Sequence, residues 1–331
     1  MTRVVSFGEI MLRLSPPGQE RFFQSPQLRA YFGGSEANVA VSLAHLGVQS
    51  DYVTRLPANP VGDAALQALR AEGVGVQGIV RGGSRLGIYF VESGADLRGM
   101  RVVYDRAGSA FSQIGADEID WCAVLRGADW LHLSGITPAL GDGPARCAQA
   151  AMDAARDLDV TVSIDLNYRP ALWTGRDPVP VMRALVKGAD LVIGNPGAVK
   201  AMLGVDMDDV GDSPEAFGRA AERLHAKLGF TGVALTRREV ISASEHGWSA
   251  ALYDARTGKT HQSRRYQVRV VDRVGGGDSF AAGLIYALLA QRDEASALAF
   301  ATAASALKLT IPGDFNRVSV DEVDRLLQTS E

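Results

Sequence analysis

Asp272-Arg273-Val274-Gly275-Gly276-Gly277-Asp278-Ser279-Phe280-Ala281-Ala282-Gly283 is the stretch on which the reading of this chain turns. An extended run, Tyr266 to Val271, precedes it, and an apolar run with the length of a helix, Phe280 to Leu289, follows. Three glycines at a helix start let backbone N–H groups turn toward an anion without obstruction by a Cβ. The helix dipole adds favourable potential for phosphate. An Asp beside such a nest is a poor anion ligand, because it repels phosphate. It makes sense as a base that takes the proton of an attacking hydroxyl. The plain alternative is a Gly-rich turn in which Asp278 caps the helix. The segment alone leaves both open.

Outward from this segment the chain alternates. Short apolar runs at Val4 to Phe7, Asp51 to Thr54, Trp130 to Leu133, Val160 to Asp165, Leu191 to Ile193 and Val233 to Thr236 read as strands. Between them Ala37 to Leu46, Ala64 to Ala71, Pro144 to Leu158 and Pro214 to Lys227 carry helical patterns. The expected fold class is therefore α/β, a doubly wound and mostly parallel sheet covered on both faces. Two stretches break the alternation. Met11 to Tyr31 holds Pro16, Pro17 and Gly18, and Leu86 to Tyr104 alternates like a hairpin with Gly94 and Gly99 as punctuation. They are expected to form a small β lid over the main sheet, or else two long loops. The organisation read is one domain over residues 1–331, with segments at about 11–31 and 86–106 inserted.

The composition narrows the function. Hydrophobic residues make up 47% of 331 residues, enough for a sizeable core, and 34 basic against 38 acidic side chains give a net charge of -4. No concentrated basic face points to nucleic acid or a membrane surface. The longest apolar run, Ala281 to Ala290, is too short to cross a bilayer, which needs about 20 residues. The N-terminus lacks a signal-peptide pattern, so a soluble cytoplasmic protein is expected. Cys122 and Cys147 have no C-x-x-C spacing and read as reduced core residues. His45, His132, His225, His246 and His261 show no metal-ligand spacing, and Asp206 to Asp209 reads as a solvated loop, not a calcium site.

A second Gly-rich loop, Phe32-Gly33-Gly34-Ser35-Glu36-Ala37-Asn38, leads into a helix. Close approach of a ligand accounts for its paired glycines, and Asn38 both donates and accepts; alone, an ordinary capped helix start accounts for it too. Gly73-Val74-Gly75-Val76-Gln77-Gly78 matches G-x-G-x-x-G, but a helix comes before it and an extended run after it. That order is the reverse of the dinucleotide fingerprint, so Gly73 reads as a helix C-cap. No G-x-x-x-x-G-K-[ST] is present. Asp165-Leu166-Asn167-Tyr168-Arg169-Pro170 ends a strand, where ligands bind in open parallel sheets. Arg106 and Arg169 are candidates to fork onto a carboxylate, or surface salt-bridge partners.

Phe7-Gly8-Glu9, the Gly33-Gly34 loop with Asn38, and the Gly275-Gly276-Gly277-Asp278 block, in this order over nearly the whole chain, resemble the ribokinase/PfkB sugar kinases. Within them the chain is most similar to the 2-keto-3-deoxygluconate kinases. That closer likeness rests on Gly33 to Asn38, Val103-Tyr104-Asp105-Arg106-Ala107-Gly108-Ser109-Ala110, Asp165 to Arg169 and Ile311-Pro312-Gly313-Asp314-Phe315. The resemblance implies ATP and Mg²⁺, and γ-phosphoryl transfer to the primary hydroxyl of a keto-sugar acid. It makes Asp278 the base and the Gly275, Gly276 and Gly277 amides the anion hole. It places Gly34, Tyr89, Tyr104, Arg106, Ile136, Arg169 and Asp278 in the sugar-acid pocket. Asn195, Thr236, Gly275 and Gly277 fall on the ATP side, and Asp272 matches a position that contributes to a monovalent cation site such as one for K⁺.

The chain departs from the family pattern at Arg273, where a small residue or Pro is usual, and at Pro57, where Gly is usual. The family's Asn-x-x-Glu segment reads Asn195-Pro196-Gly197-Ala198, without the carboxylate that handles Mg²⁺. Two further readings stand beside the sugar-acid kinase: a kinase for a neutral sugar such as fructose or ribose, and a non-catalytic sugar or nucleotide sensor on the same fold. The paired arginines speak against the first, and Asp278 against the second. An exposed lid sheet favours a homo-oligomer.

Overall fold

The structure is a computed structural model and describes residues 2–329. In chain order the strands are β1 (Arg3–Phe7), β2 (Met11–Ser15), β3 (Arg29–Gly33), β4 (Gln49–Val53), β5 (Arg55–Leu56), β6 (Val80–Arg81), β7 (Ile88–Glu92), β8 (Arg101–Asp105), β9 (Trp130–Ser134), β10 (Thr161–Asp165), β11 (Leu191–Gly194), β12 (Gly232–Ser242), β13 (Glu245–Asp254), β14 (Lys259–Gln262) and β15 (Tyr266–Arg269). The central sheet runs β14-β13-β12-β11-β10-β9-β1-β4, with β15 also paired to β13. From β12 across to β4 every pairing is parallel, and the β13, β14 and β15 pairings are antiparallel.

Period-2 alternation explains how this sheet is buried on both faces. Val5, Phe7, Leu131, Leu133, Val162, Ile164 and Val192 enter one core cluster. Their chain neighbours Val4, Trp130, Leu191 and Ile193 enter the other, with Ala234 from β12. Each fully buried aliphatic side chain here contributes about 1.5–3 kcal/mol. The helix Gly276–Leu289 belongs to the second cluster and packs on the helix Glu294–Lys308. Close contact is possible because position 283 is glycine: a Cβ there would lie 2.9 Å from Ala301 Cα.

The two stretches that interrupt the alternation pair into a separate four-stranded sheet, β3-β2-β7-β8. β2 pairs antiparallel with β3 and parallel with β7, and β7–β8 is the hairpin read from Leu86 to Tyr104. The small sheet is tied to the core by Arg13 of β2, whose side chain is fully buried. Its Nη1 donates to Asp314 Oδ2 at 2.8 Å and its Nη2 to Asp272 Oδ2 at 2.7 Å. On the far side, the tip of the β12–β13 hairpin meets the β7–β8 loop: Ala243 N donates to Asp96 O (2.8 Å) and Asp96 N to Ser244 Oγ (2.9 Å).

Two expectations need correction. The strand read at Val233 to Thr236 is part of an eleven-residue strand that turns back in a long hairpin. The apolar run ends at Thr236 because the rest of the strand, Arg237 to Ser242, is half-buried or exposed. Cys122 is not a core residue but is exposed on a short helix, while Cys147 is buried; both are free. Gly73 does follow the helix Pro60–Ala71 with φ +81°, a left-handed position that glycine takes without strain. Asp206 to Asp209 is held by ion pairs, Arg223 Nη2 reaching Asp209 Oδ2 at 2.8 Å. Among the described residues no helix is long and apolar enough to cross a membrane.

Candidate active site

Strands β1, β9, β10, β11 and β12 run parallel, so their carboxyl ends open at one edge of the sheet. A cleft of about 870 Å³ lies there. It brings together Gly34, Tyr89, Tyr104, Arg106, Ile136, Arg169, Asn195, Thr236, Gly275, Gly276, Gly277 and Asp278, every residue the sequence placed in the sugar or nucleotide pocket. Asp165 ends β10, Gly194 ends β11 just before Asn195, and Ser134 ends β9 two residues before Ile136. Met11, Val91 and Val102 of the small sheet, and Met100 just before β8, line the same space.

The glycine nest has a distinct job at each position. Gly275 has φ +83° and is the N-cap of the helix Gly276–Leu289, with no side chain capping it. A Cβ there would lie 2.3 Å from the Asp314 carbonyl oxygen. At Gly277 a Cβ would meet nothing within 4 Å, so the start of the helix stands open to the cleft. Asp278 therefore does not cap the helix. Its carboxylate is buried and turns to the neighbouring helix Ser35–His45. Ser35 Oγ donates to Oδ1 (2.8 Å) and Asn38 Nδ2 to Oδ2 (2.7 Å), with Asn167 Nδ2 at 3.5 Å from Oδ1. Burial raises the Asp278 pKa, while the Asn38 and Ser35 hydrogen bonds and the charge of Arg169 pull it back.

Gly34 lets that helix reach Asp278. A Cβ on it would lie 2.0 Å from Glu9 O, so only glycine fits where the loop crosses the end of β1. The first turn of the helix then presents Ser35, Glu36 and Asn38 to the cleft. Glu36 is fully buried, accepts from Ser134 Oγ (2.6 Å) and Thr137 Oγ1 (3.0 Å), and has its pKa raised to about 7, chiefly by burial. Asp165 is likewise raised to about 7 by burial and then by the charge of Asp278. Both are carboxyls poised to hold a proton near neutrality.

The arginines divide into two kinds. Arg106 lines the cleft but is already paired: its Nε donates to Glu9 Oε2 at 2.9 Å, and Nη2 also bonds Glu9. Its Nη1 has no acceptor among the described residues. Arg169, Arg238 and Arg273 also line the cleft, and no carboxylate partner among the described residues takes their charge. Arg169 donates to Tyr168 O and Arg273 to Met100 Sδ. Burial and then the charges of Arg238 and Arg169 lower the Arg273 pKa, which places the three in one another's field. Sequence reasoning missed Arg238 altogether and treated Arg273 only as a departure. The alternation of β12 carries the signal for Arg238: Thr236 and Arg238 share one face of the strand, while Arg237, which also lines the cleft, is paired with Asp212. Asn195 Oδ1 accepts Ala198 N (3.0 Å), so this side chain caps the helix Pro196–Leu203 as well as facing the cleft.

Asp272 lies behind the nest and outside the cleft lining. Its carboxylate accepts from Arg13, from Gly313 N (3.1 Å) and from Val274 N (3.0 Å). Among the described residues no group of three or more His, Cys, Asp or Glu side chains is placed to hold a metal ion.

Comparison with known proteins agrees with this geometry. The 2-dehydro-3-deoxygalactonokinase of Haloferax volcanii is 32% identical over 325 residues, 98% of this chain and 96% of its own. The 2-dehydro-3-deoxygluconokinase of Thermoproteus tenax is 30% identical, over 99% of this chain and 95% of its own. The crystal structure of 2-dehydro-3-deoxygluconokinase from Thermotoga maritima superposes with a TM-score of 0.96 at 45% identity, covering 99% of this chain and 100% of that one. The model of the pfkB family carbohydrate kinases matches residues 1–319, and the chain belongs to that family.

Proposed function

We propose that this carbohydrate kinase transfers the γ-phosphoryl group of ATP to the primary hydroxyl of a 2-keto-3-deoxy sugar acid, with 2-keto-3-deoxygluconate giving its 6-phosphate. The observation that carries the reading is the placement of Asp278. Its carboxylate is aimed by Ser35 and Asn38 beside the open amide end of the Gly276–Leu289 helix. A hydroxyl resting on Asp278 and a phosphoryl group resting on the nest amides would face each other in line. Phosphoryl transfer needs positioning and charge stabilisation more than covalent help.

In this reading Asp278 accepts the hydroxyl proton as the oxygen attacks the γ-phosphorus. The Gly275 to Gly277 amides hold the transferring oxygens, and Thr236 and Asn195 lie along the nucleotide. Tyr89, Tyr104, Ile136 and Gly34 shape the sugar pocket, and the small sheet serves as its lid. The substrate carboxylate falls to Arg169 and to the free edge of Arg106, which Glu9 fixes in orientation. Mg²⁺ fits as an ion carried on the ATP phosphates, where it neutralises charge, because the described residues offer no carboxylate cage and Ala198 supplies no ligand.

A coupled ADP-release assay tests the reading, run with ATP across 2-keto-3-deoxygluconate, its C4 epimer and neutral sugars. Turnover on a keto acid well above that on fructose or ribose is the expected result. The relatives named for both epimers make the C4 pair the informative comparison. Faster turnover on a neutral sugar would reject it.

A further inference from the structure

Beneath the glycine nest lies a buried charge that the phosphoryl-transfer scheme does not use. Lys308 ends the helix Glu294–Lys308 and is fully buried. Its Nζ donates to Ile311 O at 3.1 Å and Gly313 O at 3.0 Å, two carbonyls of the loop that follows the helix. Its stem runs directly behind the left-handed glycine of the nest: a Cβ on Gly275 would come within 3.2 Å of Lys308 Cε. Burial lowers its pKa, and the charges of Asp272 and then Asp314, in the same buried layer, pull it back; Arg13 bonds both carboxylates. Two cations thus face two carboxylates under Gly275.

A lysine at a helix end ordinarily runs its stem along the surface and keeps its ammonium in water. Burying an ammonium costs several kcal/mol unless it is paired and hydrogen-bonded. Lys308 bears that cost where two backbone carbonyl oxygens accept from it and the charges of Asp272 and Asp314 act on it from further off; clustered carbonyl oxygens are the setting in which proteins hold a bare monovalent cation. A neutral side chain would have filled the same volume without it.

We propose that Lys308 is a built-in cation of this active site. Its ammonium, clasped by the carbonyls of Ile311 and Gly313, holds the loop under Gly275 in the shape that turns the nest amides toward phosphate. It takes the place of an added monovalent ion beside Asp272, so turnover needs none. Lys308 is a positioning residue: it touches neither substrate nor nucleotide. The inference rests on the reading of the nest as the phosphate site.

The test compares potassium, sodium and tetramethylammonium salts at equal ionic strength. It reads both turnover and ADP affinity by calorimetry, so the result stands even if the acceptor sugar is different. Wild-type values should be the same in all three salts. Lys308→Met keeps the stem and removes the charge; its turnover and ADP affinity should fall about 10–100-fold, the value of a charge-assisted contact. Lys308→Ala opens a cavity beneath Gly275 and should be restored by potassium or ammonium but not by tetramethylammonium. Activation of the wild type by potassium overturns the proposal, and that arm needs no variant to fold. A folded Lys308→Met with wild-type turnover and affinity overturns it too, as does a folded Lys308→Ala equally impaired in every salt.

Discussion

Replacing Asp278 by Asn removes the basic oxygen and the negative charge while keeping the shape of the side chain. The surroundings of Asp278 decide what else changes. Asn38 Nδ2 and Ser35 Oγ both donate to the carboxylate. An Asn at 278 can turn its carbonyl oxygen to Asn38 and its NH₂ to the Ser35 hydroxyl, which accepts as readily as it donates. The Ser35 proton loses the acceptor that Asp278 Oδ1 provides, while Ser35 Oγ goes on accepting from Asn167 Nδ2 (2.6 Å); a desolvated charge disappears in exchange, so thermal stability should change little. Turnover should fall about 10²–10⁴-fold, the contribution of a positioned base. That is about 3–5 kcal/mol of barrier. ATP affinity should persist, since the lost charge repels phosphate. The pH dependence supplies a second readout. Burial raises the Asp278 pKa, and a base works only above its pKa, so wild-type kcat/KM should climb on the acid side to a plateau. The variant should lose that limb. Steady-state ADP release and nucleotide calorimetry must be read together. A variant with near wild-type turnover, or with the acid limb intact, would refute the base assignment.

Arg169→Ala should cut kcat/KM for the keto acid about 10–100-fold, the worth of a contact of 1.5–3 kcal/mol, and leave neutral sugars nearly untouched; equal losses on both would assign it to phosphate. Gly275→Ala forces a left-handed residue against Asp314 O, so it should cost about 1–3 kcal/mol by denaturant melt together with activity. Gly277→Ala should instead leave the fold intact and weaken ATP, because its methyl projects into open cleft; unchanged ATP affinity would mean that no ligand approaches there. The carboxyls of Glu36 and Asp165 are raised to about 7, so the folded state binds protons that the unfolded chain has released above about pH 4. Their contribution to stability is present at low pH and is lost as pH rises through about 7. Melting temperature across pH 5 to 8 should fall more steeply for wild type than for Glu36→Gln, and parallel curves would show that Glu36 titrates normally.

Much of this architecture was legible because its signals are local. Apolar runs punctuated by glycine gave the parallel strands, and the order strand, glycines, helix marked the nest. The pocket candidates came from the family resemblance; Ile136, Arg169 and Asn195 share a cleft because they follow the carboxyl ends of parallel strands, and Tyr89 and Tyr104 join them from the small sheet. What was not legible depends on distant partners. Nothing near Arg106 in the sequence says that Glu9 has claimed it, and nothing near Lys308 says that its ammonium lies under Gly275. The β12–β13 hairpin hid for another reason: His246 to Tyr253 is rich in small residues and lacks β-branched ones, so propensity alone does not call it a strand.

The strut from Arg13 has a consequence for how the molecule is made. Its two partners lie 259 and 301 residues further along the chain, and Asn316 similarly reaches back 274 residues to Ser42. During vectorial synthesis the small sheet emerges early, yet its central arginine lacks its first counter-charge until residue 272, and its second until residue 314, has left the ribosome. Before residue 272 emerges, seating Arg13 would bury an unpaired guanidinium, which costs several kcal/mol. Final seating of the small sheet beside the cleft therefore waits for residues 272 to 314. A ribosome that stops short of residue 272 leaves a chain with most of its sheet and no seated arginine.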